Sequence, residues 1–589
     1  MTQHQSLPFS SVGAGGSVAR KPISLNPEQQ QVLDADASRM VVQGGPGTGK
    51  TLLAARFAAR YPDRNVIMLV RDDRARIDLE SRLRDAGVVQ AQVHTFDSYA
   101  IEQIRLRRPD LLGADVVPEW QPYFLVHRQA KSHQADLIAD HAFDLLNGFF
   151  ATQDDVPDVK HFTPDMLFNF AAKGAPGANL MNEIVAEARE VWDLIRAGKI
   201  PVPKVAAVKV FHQVVFSADP VARWSPHDIL IIDDAQHLNG AMLKFVQSLV
   251  THCEPYALLI LGDAYQRVDY FHDSLHPMDA LSAGVPLFRL TQSYRVSPMV
   301  AGVAQAILSH LIRAPEHLVG THLEDVDLGA NMARADTSGQ EAFVARTISP
   351  LLGLVLKEAD AHPDSFAHRL CWRDVGEALR ILMSVYALAN NRRGDVILPF
   401  YRQFSDYATL ISFAHATADI SILGMAQLIE QYGSKLPSLV DRIVENRVAL
   451  RTPRRADDGG APRLTLATVN EIGDAAFDTV RLANDFTVCK DVQDPRGVVG
   501  DGAVNRDVAS DVREARLLYL AVTRARREVH LNDETLAWYR GIPGVTLGAG
   551  LLDTRTDTLD QSTSAATAAA PGAATSSSPA ALPLPFTRR

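Results

Sequence analysis

The chain alternates between short apolar runs and longer stretches with helical spacing. Met40-Val41-Val42, Asn65–Val70, Ile229-Leu230-Ile231-Ile232 and Leu258–Leu261 are apolar runs of strand length. Runs of this kind predict strands of a parallel sheet buried on both faces. Between them, Leu53, Phe57 and Tyr61 recur at i, i+4, i+8 and predict a helix, and Asp78–Arg84 continues as another. Val93–Phe96 predicts a further short strand. Residues 101–190 predict a mostly helical stretch with loops at Pro109, Pro118, Pro157 and Pro176. A second α/β block follows. It has a strand and turn at Leu290–Arg295, a strand at His368–Trp372 and a helix through Leu379, Leu382 and Met383. Helices fill 390–455, and strands follow at Leu464–Thr468 and Val480–Leu482. Strands alternating with helices define an α/β protein with parallel sheets. There is no internal repeat at a fixed period.

The two ends differ from the middle. Residues 1–22 are Ser/Gly/Gln-rich, and from about 557 the chain is rich in Ala, Ser, Thr and Pro. Such composition buries too little apolar surface to fold alone, so both are expected to be disordered tails. The polar start has no apolar core of the kind a Sec-type signal carries, and no run of apolar residues is long enough to span a membrane. Three cysteines, Cys253, Cys371 and Cys489, lie far apart, which argues against a zinc site or a disulfide framework and for a reducing cytoplasm. The net charge of −10 argues against a protein that merely coats nucleic acid, but not against an enzyme with a local basic track.

Two motifs bring chemistry. Gly44-Gly45-Pro46-Gly47-Thr48-Gly49-Lys50-Thr51 fits the phosphate-binding loop G-x-x-x-x-G-K-[ST], placed between a strand and a helix. Chance matches are expected on the order of 10⁻² per chain of this length. Backbone N–H groups of Gly45, Gly47, Thr48 and Gly49 would cradle phosphate oxygens at a helix N-terminus. Lys50 would reach the β- and γ-phosphates of ATP, and the Thr51 hydroxyl would ligate Mg²⁺. The second motif is the strand Ile229–Ile232 ending in Asp233-Asp234-Ala235-Gln236, a Walker B pattern. Asp233 would hold Mg²⁺ through water, and Asp234 would polarise the attacking water. Upstream, Asn26-Pro27-Glu28-Gln29 opens a helix. Gln29 suits the reciprocal position of a capping box and equally an adenine-edge contact, and both readings stand.

These pieces, in this order, resemble a UvrD/Rep-class superfamily 1 helicase, and within that class the F-box DNA helicase branch, without an F-box. Leu290-Thr291-Gln292-Ser293-Tyr294-Arg295, Leu517-Leu518-Tyr519-Leu520-Ala521-Val522-Thr523-Arg524-Ala525 and Gly262-Asp263-x-x-Gln266 match motifs of that branch. The resemblance implies two RecA-like P-loop NTPase domains with ATP between them. It places the first domain at 23–100 and 191–285, with a helical insertion at 101–190. The second spans 286–385 and 456–540, with a reduced helical insertion at 386–455, and tails occupy 1–22 and 541–589. Tyr294 would stack on adenine, Gln266 would sense the γ-phosphate, and Arg295 and Arg524 would reach it from the second domain.

The departures from the family cluster. Asp234 stands where the family has Glu, one methylene shorter. The other losses fall where the family touches DNA. Arg71-Asp72-Asp73 replace an aromatic and Asn-Lys, and Thr95-Phe96-Asp97 replace Thr-x-His. Phe271-His272-Asp273 replace aromatic-Arg-Gly, and the stretch from Thr468 to Phe477 lacks the family's His, Lys and Glu. Asp72, Asp73, Asp97, Asp273 and Asp474 are thereby introduced near the expected path of a polyanion, where acids repel phosphate. Thr95, Phe96, Phe271 and His272 remain as candidate nucleic-acid contacts. Two function classes follow. One is an Mg-ATP-dependent translocase or helicase that grips single-stranded DNA weakly. The other is an ATP-binding switch derived from a helicase that acts on a protein partner. A secreted effector using the polar N-terminal tail is a third, supported by composition alone.

Overall fold

Continuous apolar strands need cover on both faces, and two parallel sheets with helices on each side supply it. The computed structural model describes residues 24–113, 133–163, 166–167, 170, 175–217, 228–253, 255–267, 276–321, 340–451, 463–473, 475–488, 506–543 and 545. The first sheet contains β1 (Arg39–Gly44), β2 (Val66–Val70), β3 (Ala91–Thr95), β4 (Ile229–Ile232), β5 (Ala257–Gly262) and β6 (Leu287–Leu290). Their order is β3-β2-β4-β5-β1-β6, and every pairing is parallel. Central β2, β4 and β5 are buried at every position, whereas edge strand β6 is mostly exposed. That contrast is why central strands read clearly from apolar runs and edge strands do not.

Alternate residues of each strand feed two separate cores. Val42, Met68, Ile231 and Leu259 pack under helices α2 (Lys50–Ala59) and α3 (Asp73–Asp85). Val41, Leu69, Ile232 and Ile260 face the other way, against α4 (Phe96–Arg107) and the helices His133–Phe150 and Ala175–Arg196. The helical insertion therefore shares a core with the sheet. Its own centre is aromatic, with Phe149 edge-on to Trp192 at 5.2 Å. Buried Lys209 ties this insertion down by donating to the carbonyls of Phe149 at 2.6 Å and Thr152 at 3.1 Å.

The second sheet has the order β11-β10-β7-β9-β8, again parallel. Its strands are β7 (Glu341–Ala345), β8 (Leu370–Cys371), β9 (Leu464–Thr468), β10 (Phe477–Leu482) and β11 (Ala525–His530). One face packs under the helices Pro298–Ala306 and Arg506–Val522. The other packs under Ile348–Ala361, Val375–Ala389 and the insertion helices Tyr407–Thr417, Ile420–Tyr432 and Leu436–Glu445. The fold is thus α/β with two RecA-like halves. Among the described residues no helix is long and apolar enough to cross a membrane.

Four local expectations change. Pro176 does not interrupt a helix; it is the second residue of Ala175–Arg196, where the missing N–H has no helical partner to lose. The strand expected at His368–Trp372 shrinks to Leu370–Cys371, because Phe366–Arg369 forms a helical turn. Phe96 begins α4 rather than ending a strand. β6 pairs with β1, so the first sheet extends beyond residue 285. Both expected tails and Pro118 lie outside the described residues, apart from the start of the second tail.

Candidate functional site

The sheet order sets three loops side by side. β4, β5 and β1 are neighbours, and all three run the same way. The Walker B acids, Gly262-Asp263 and the glycine-rich loop therefore emerge together at the carboxyl edge, where such sheets place ligands.

In the loop, Gly47 and Gly49 adopt φ of 74° and 83°. Both also lack room for a side chain. A Cβ on Gly47 would lie 2.2 Å from Arg295 Cβ, and one on Gly49 would lie 2.4 Å from Gln29 Nε2. The buried Thr48 hydroxyl donates to the Gly45 carbonyl at 2.9 Å and closes the turn. Lys50 Nζ donates to the carbonyls of Gly44 and Gly45 at 2.8 and 3.0 Å. Gln29 serves the capping box with Asn26 and also donates from Nε2 to the Thr48 carbonyl at 2.9 Å. It braces the loop from behind.

Opposite, the Thr51 hydroxyl donates to Asp233 Oδ2 at 2.9 Å. Burial, then the adjacent Asp234 carboxylate, pushes Asp233 up to about 7, opposed by Lys50 and the Thr51 hydrogen bond. The Asp233 carboxylate and the Thr51 hydroxyl beside it are oxygen donors of the kind Mg²⁺ takes. Asp234 is half-buried and has left-handed backbone, φ 57°, a conformation Asp tolerates better than most residues. Gln236 connects it to the next loop. Its Nε2 donates to Asp234 Oδ1 at 3.4 Å, and its Oε1 accepts from Asp263 N at 3.0 Å.

The second half contributes across the cleft. Arg524 is fully buried, and its Nη2 donates to Gln266 Oε1 at 2.8 Å while Nη1 donates to the Gly473 carbonyl at 2.7 Å. Gln266 is fixed in turn by donating to Asp263 Oδ2 at 2.9 Å. Tyr519, on the same helix as the approach to Arg524, donates its hydroxyl to Asp263 Oδ2 at 3.3 Å. Burial and that carboxylate hold the Tyr519 phenol well above its ordinary range, so it stays a donor. The Ser293 hydroxyl donates to the Pro46 carbonyl at 2.7 Å, and Tyr294 N donates to the Gly47 carbonyl at 2.9 Å. Tyr294 and Arg295 thus stand against the phosphate loop, both half-buried.

Lys50, Thr51, Asp233, Asp234, Gln266, Arg295, Arg524, Gln29 and Tyr294 converge on one cleft. The two described nucleic-acid candidates, Thr95 and Phe96, do not. Thr95 is 5% exposed, and its hydroxyl accepts from Ser98 N at 3.2 Å as the N-cap of α4. Phe96 is 2% exposed and belongs to the core beneath α4, so it has no face to offer a base. Phe271 and His272, with Asp273 and Asp474, lie outside the described residues. Asp72 caps α3 by accepting from Ala75 N at 2.9 Å, and it pairs with Arg71 at 2.8 Å. Arg71 also meets His237, directly after the Walker B turn, at 3.2 Å. Burial pushes the Asp97 carboxyl up, and Lys204 pulls it down.

Sequence patterns assign no role to Glu28, Ser293, Tyr519 or Gln236. Ser293 and Tyr519 sit inside recognised motifs, and Gln236 follows the acids, but no pattern marks which partner each one meets across 27 to 256 residues or more.

A glycine-rich loop, a buried Walker B acid and a second parallel half whose arginine closes on the first define a P-loop NTPase of two RecA-like halves. A family model described as an AAA domain matches residues 29–272. F-box DNA helicase protein 1 of Schizosaccharomyces pombe is 22% identical over 570 residues, covering 89% of this chain and 59% of that protein. ATP-dependent DNA helicase UvrD1 of Mycobacterium leprae is 22% identical over 381 residues, covering 56% of this chain and 45% of that protein. The chain therefore spans about half the length of the curated relatives it matches. These matches and motifs support a resemblance to UvrD/Rep-like superfamily 1 helicases at low identity.

Proposed function

We propose that the chain is an ATP-driven translocase or helicase on single-stranded DNA that hydrolyses Mg-ATP between its two halves. The observation that carries this reading is the Arg524–Gln266 contact at 2.8 Å, which joins the second half's arginine to the first half's phosphate-side glutamine. The loop N–H groups and Lys50 would hold the phosphates and Tyr294 would stack on the adenine, while Gln29, its amide bonded to Asn26 and Thr48, braces the loop. Thr51 and Asp233 would hold Mg²⁺, which when bound would neutralise phosphate charge. Asp234 orients the attacking water. Arg295 and Arg524 stabilise charge developing on the transferring phosphoryl group, an effect worth about 10³–10⁵ in rate in related chemistry. Because Gln266 bonds Arg524 and Asp263 together, a change at the γ-phosphate is felt at the join between the halves.

A second reading, an ATP-binding switch acting on a protein partner with little unwinding, is favoured by one observation. The described residues at the DNA-side positions are committed elsewhere: Asp72 and Thr95 to helix caps and Phe96 to the core. ATP hydrolysis measured with and without single-stranded DNA separates the two. Stimulation supports the motor; hydrolysis indifferent to DNA supports the switch.

A further inference from the structure

The segment from Thr291 to Arg295 is the crossing point between the halves. Behind it lies β6 in the first sheet. On the side of the second half, Val319 N donates to the Thr291 carbonyl at 2.9 Å and Ser293 N donates to the Val319 carbonyl at 2.8 Å. On the side of the first half, Ser293 and Tyr294 hold the phosphate loop through Pro46 and Gly47. One further anchor has no part in that scheme. The Glu28 carboxylate accepts from Thr291 N at 2.8 Å through Oε2 and from the Thr291 hydroxyl at 2.5 Å through Oε1.

We propose that Glu28 is a positioning residue for γ-phosphate recognition, acting through Thr291 on the placement of Arg295. This role rests on the ATP-site reading given under the proposed function. Glu28 and Gln29 are consecutive in the first turn of α1 (Pro27–Asp34), and they reach opposite targets. Gln29 braces the phosphate loop at Thr48, and Glu28 fixes the crossing segment at its root. The helix thus sets the distance between the loop and the segment that carries Tyr294 and Arg295. That distance has little slack, since Arg295 Cβ lies 2.2 Å from where a Cβ on Gly47 would stand. Arg295 N also leans on the Ser293 hydroxyl at 3.3 Å, so a shift of the segment carries the guanidinium with it. A displacement near 1 Å is enough to cost ~10²-fold in a positioned reaction. A Glu in the first turn also favours the helix dipole, but that role predicts a change in stability alone.

The test is the affinity of the full chain, with Mg²⁺, for ADP and for a non-hydrolysable ATP analogue. Glu28→Ala is expected to leave ADP affinity within about 3-fold and to weaken the analogue about 10-fold, the scale of one lost charge-assisted hydrogen bond. Glu28→Gln, which keeps the shape and one acceptor, is expected to fall between, and it gives the same reading if the Ala variant does not fold. Equal losses for both nucleotides, or no change in their ratio, would overturn the proposal while leaving the ATP site standing. A wild-type chain that binds neither nucleotide would overturn both.

Discussion

The nucleotide cleft and the surface beside it at the ends of β2 and β3 share one sheet edge, but the bonds that tie Thr51, Ser293 and Arg524 span far more sequence than those that tie Asp72 and Thr95. In the cleft, Thr51 meets Asp233 across 182 residues, Ser293 meets Pro46 across 247, and Arg524 meets Gln266 across 258. At the ends of β2 and β3, Asp72 bonds Ala75 and Thr95 bonds Ser98, each three residues on. Long-range bonds exist only when the fold that brings their segments together is assembled. Short-range bonds are helix caps, which serve folding and leave little to offer a ligand. The cleft is assembled from segments distant in sequence, whereas Asp72 and Thr95 on the neighbouring surface are taken up by their own turns.

Substitutions in the cleft should have the largest effects. Lys50→Ala is expected to abolish nucleotide binding or hydrolysis. Arg295→Ala should keep ATP binding and lower turnover at least ~10³-fold, measured by steady-state ATPase assay. Arg524→Ala should lose as much turnover and also about 1–3 kcal/mol of stability in a denaturant titration, because it leaves buried acceptors unpaired. If both arginine variants turn over within a few fold of wild type, the cleft is not shared between the halves.

On the other side of the comparison, Phe96→Ala should cost about 3–5 kcal/mol of stability, as for a buried aromatic. The DNA affinity of the folded fraction should not change; a selective loss of DNA binding would show that the ring is reachable after all. Asp234→Glu probes the edge between the two regions. The longer side chain should place its carboxylate nearer the water and raise hydrolysis about 10-fold. A slower Glu variant would mean that the left-handed turn and Gln236 have adapted the site to Asp. The smallest effect belongs to the cap of α3. Asp72→Ala should cost ~1 kcal/mol, and Asp72→Asn only a few tenths, because Asn caps as well as Asp. The Asn variant should also bind single-stranded DNA somewhat more tightly than wild type.

Much of the fold and of the cleft is legible in the order of residues alone, and what is not legible has physical causes. Central strands β1, β2, β4 and β5 announce themselves because both faces are buried. β7 and β11 leave no such signal: each mixes buried with more exposed positions and carries Glu or Arg within it. The phosphate loop and the Walker B acids are legible because their spacing is local, and the two arginines only through motifs that resemble the family's. Capping at Asn26 and Gln29 is legible because it too is local; the bond from Gln29 to the Thr48 carbonyl, 19 residues on, is not. Phe96 misleads because an aromatic beside a degraded motif looks the same in sequence whether it faces solvent or core. Its burial depends on helices tens of residues downstream, and Glu28's grip on Thr291 spans 263 residues.

The central claim is that a complete ATP site drives work on a weakly held DNA strand. ATP hydrolysis by the full chain, measured against single-stranded oligonucleotide concentration at several salt concentrations, tests it most directly. The expected result is stimulated turnover whose apparent DNA affinity falls with salt at a log–log slope of only about one to three phosphates, at roughly −0.7 each. Hydrolysis that no concentration of DNA alters, at any salt, would contradict it.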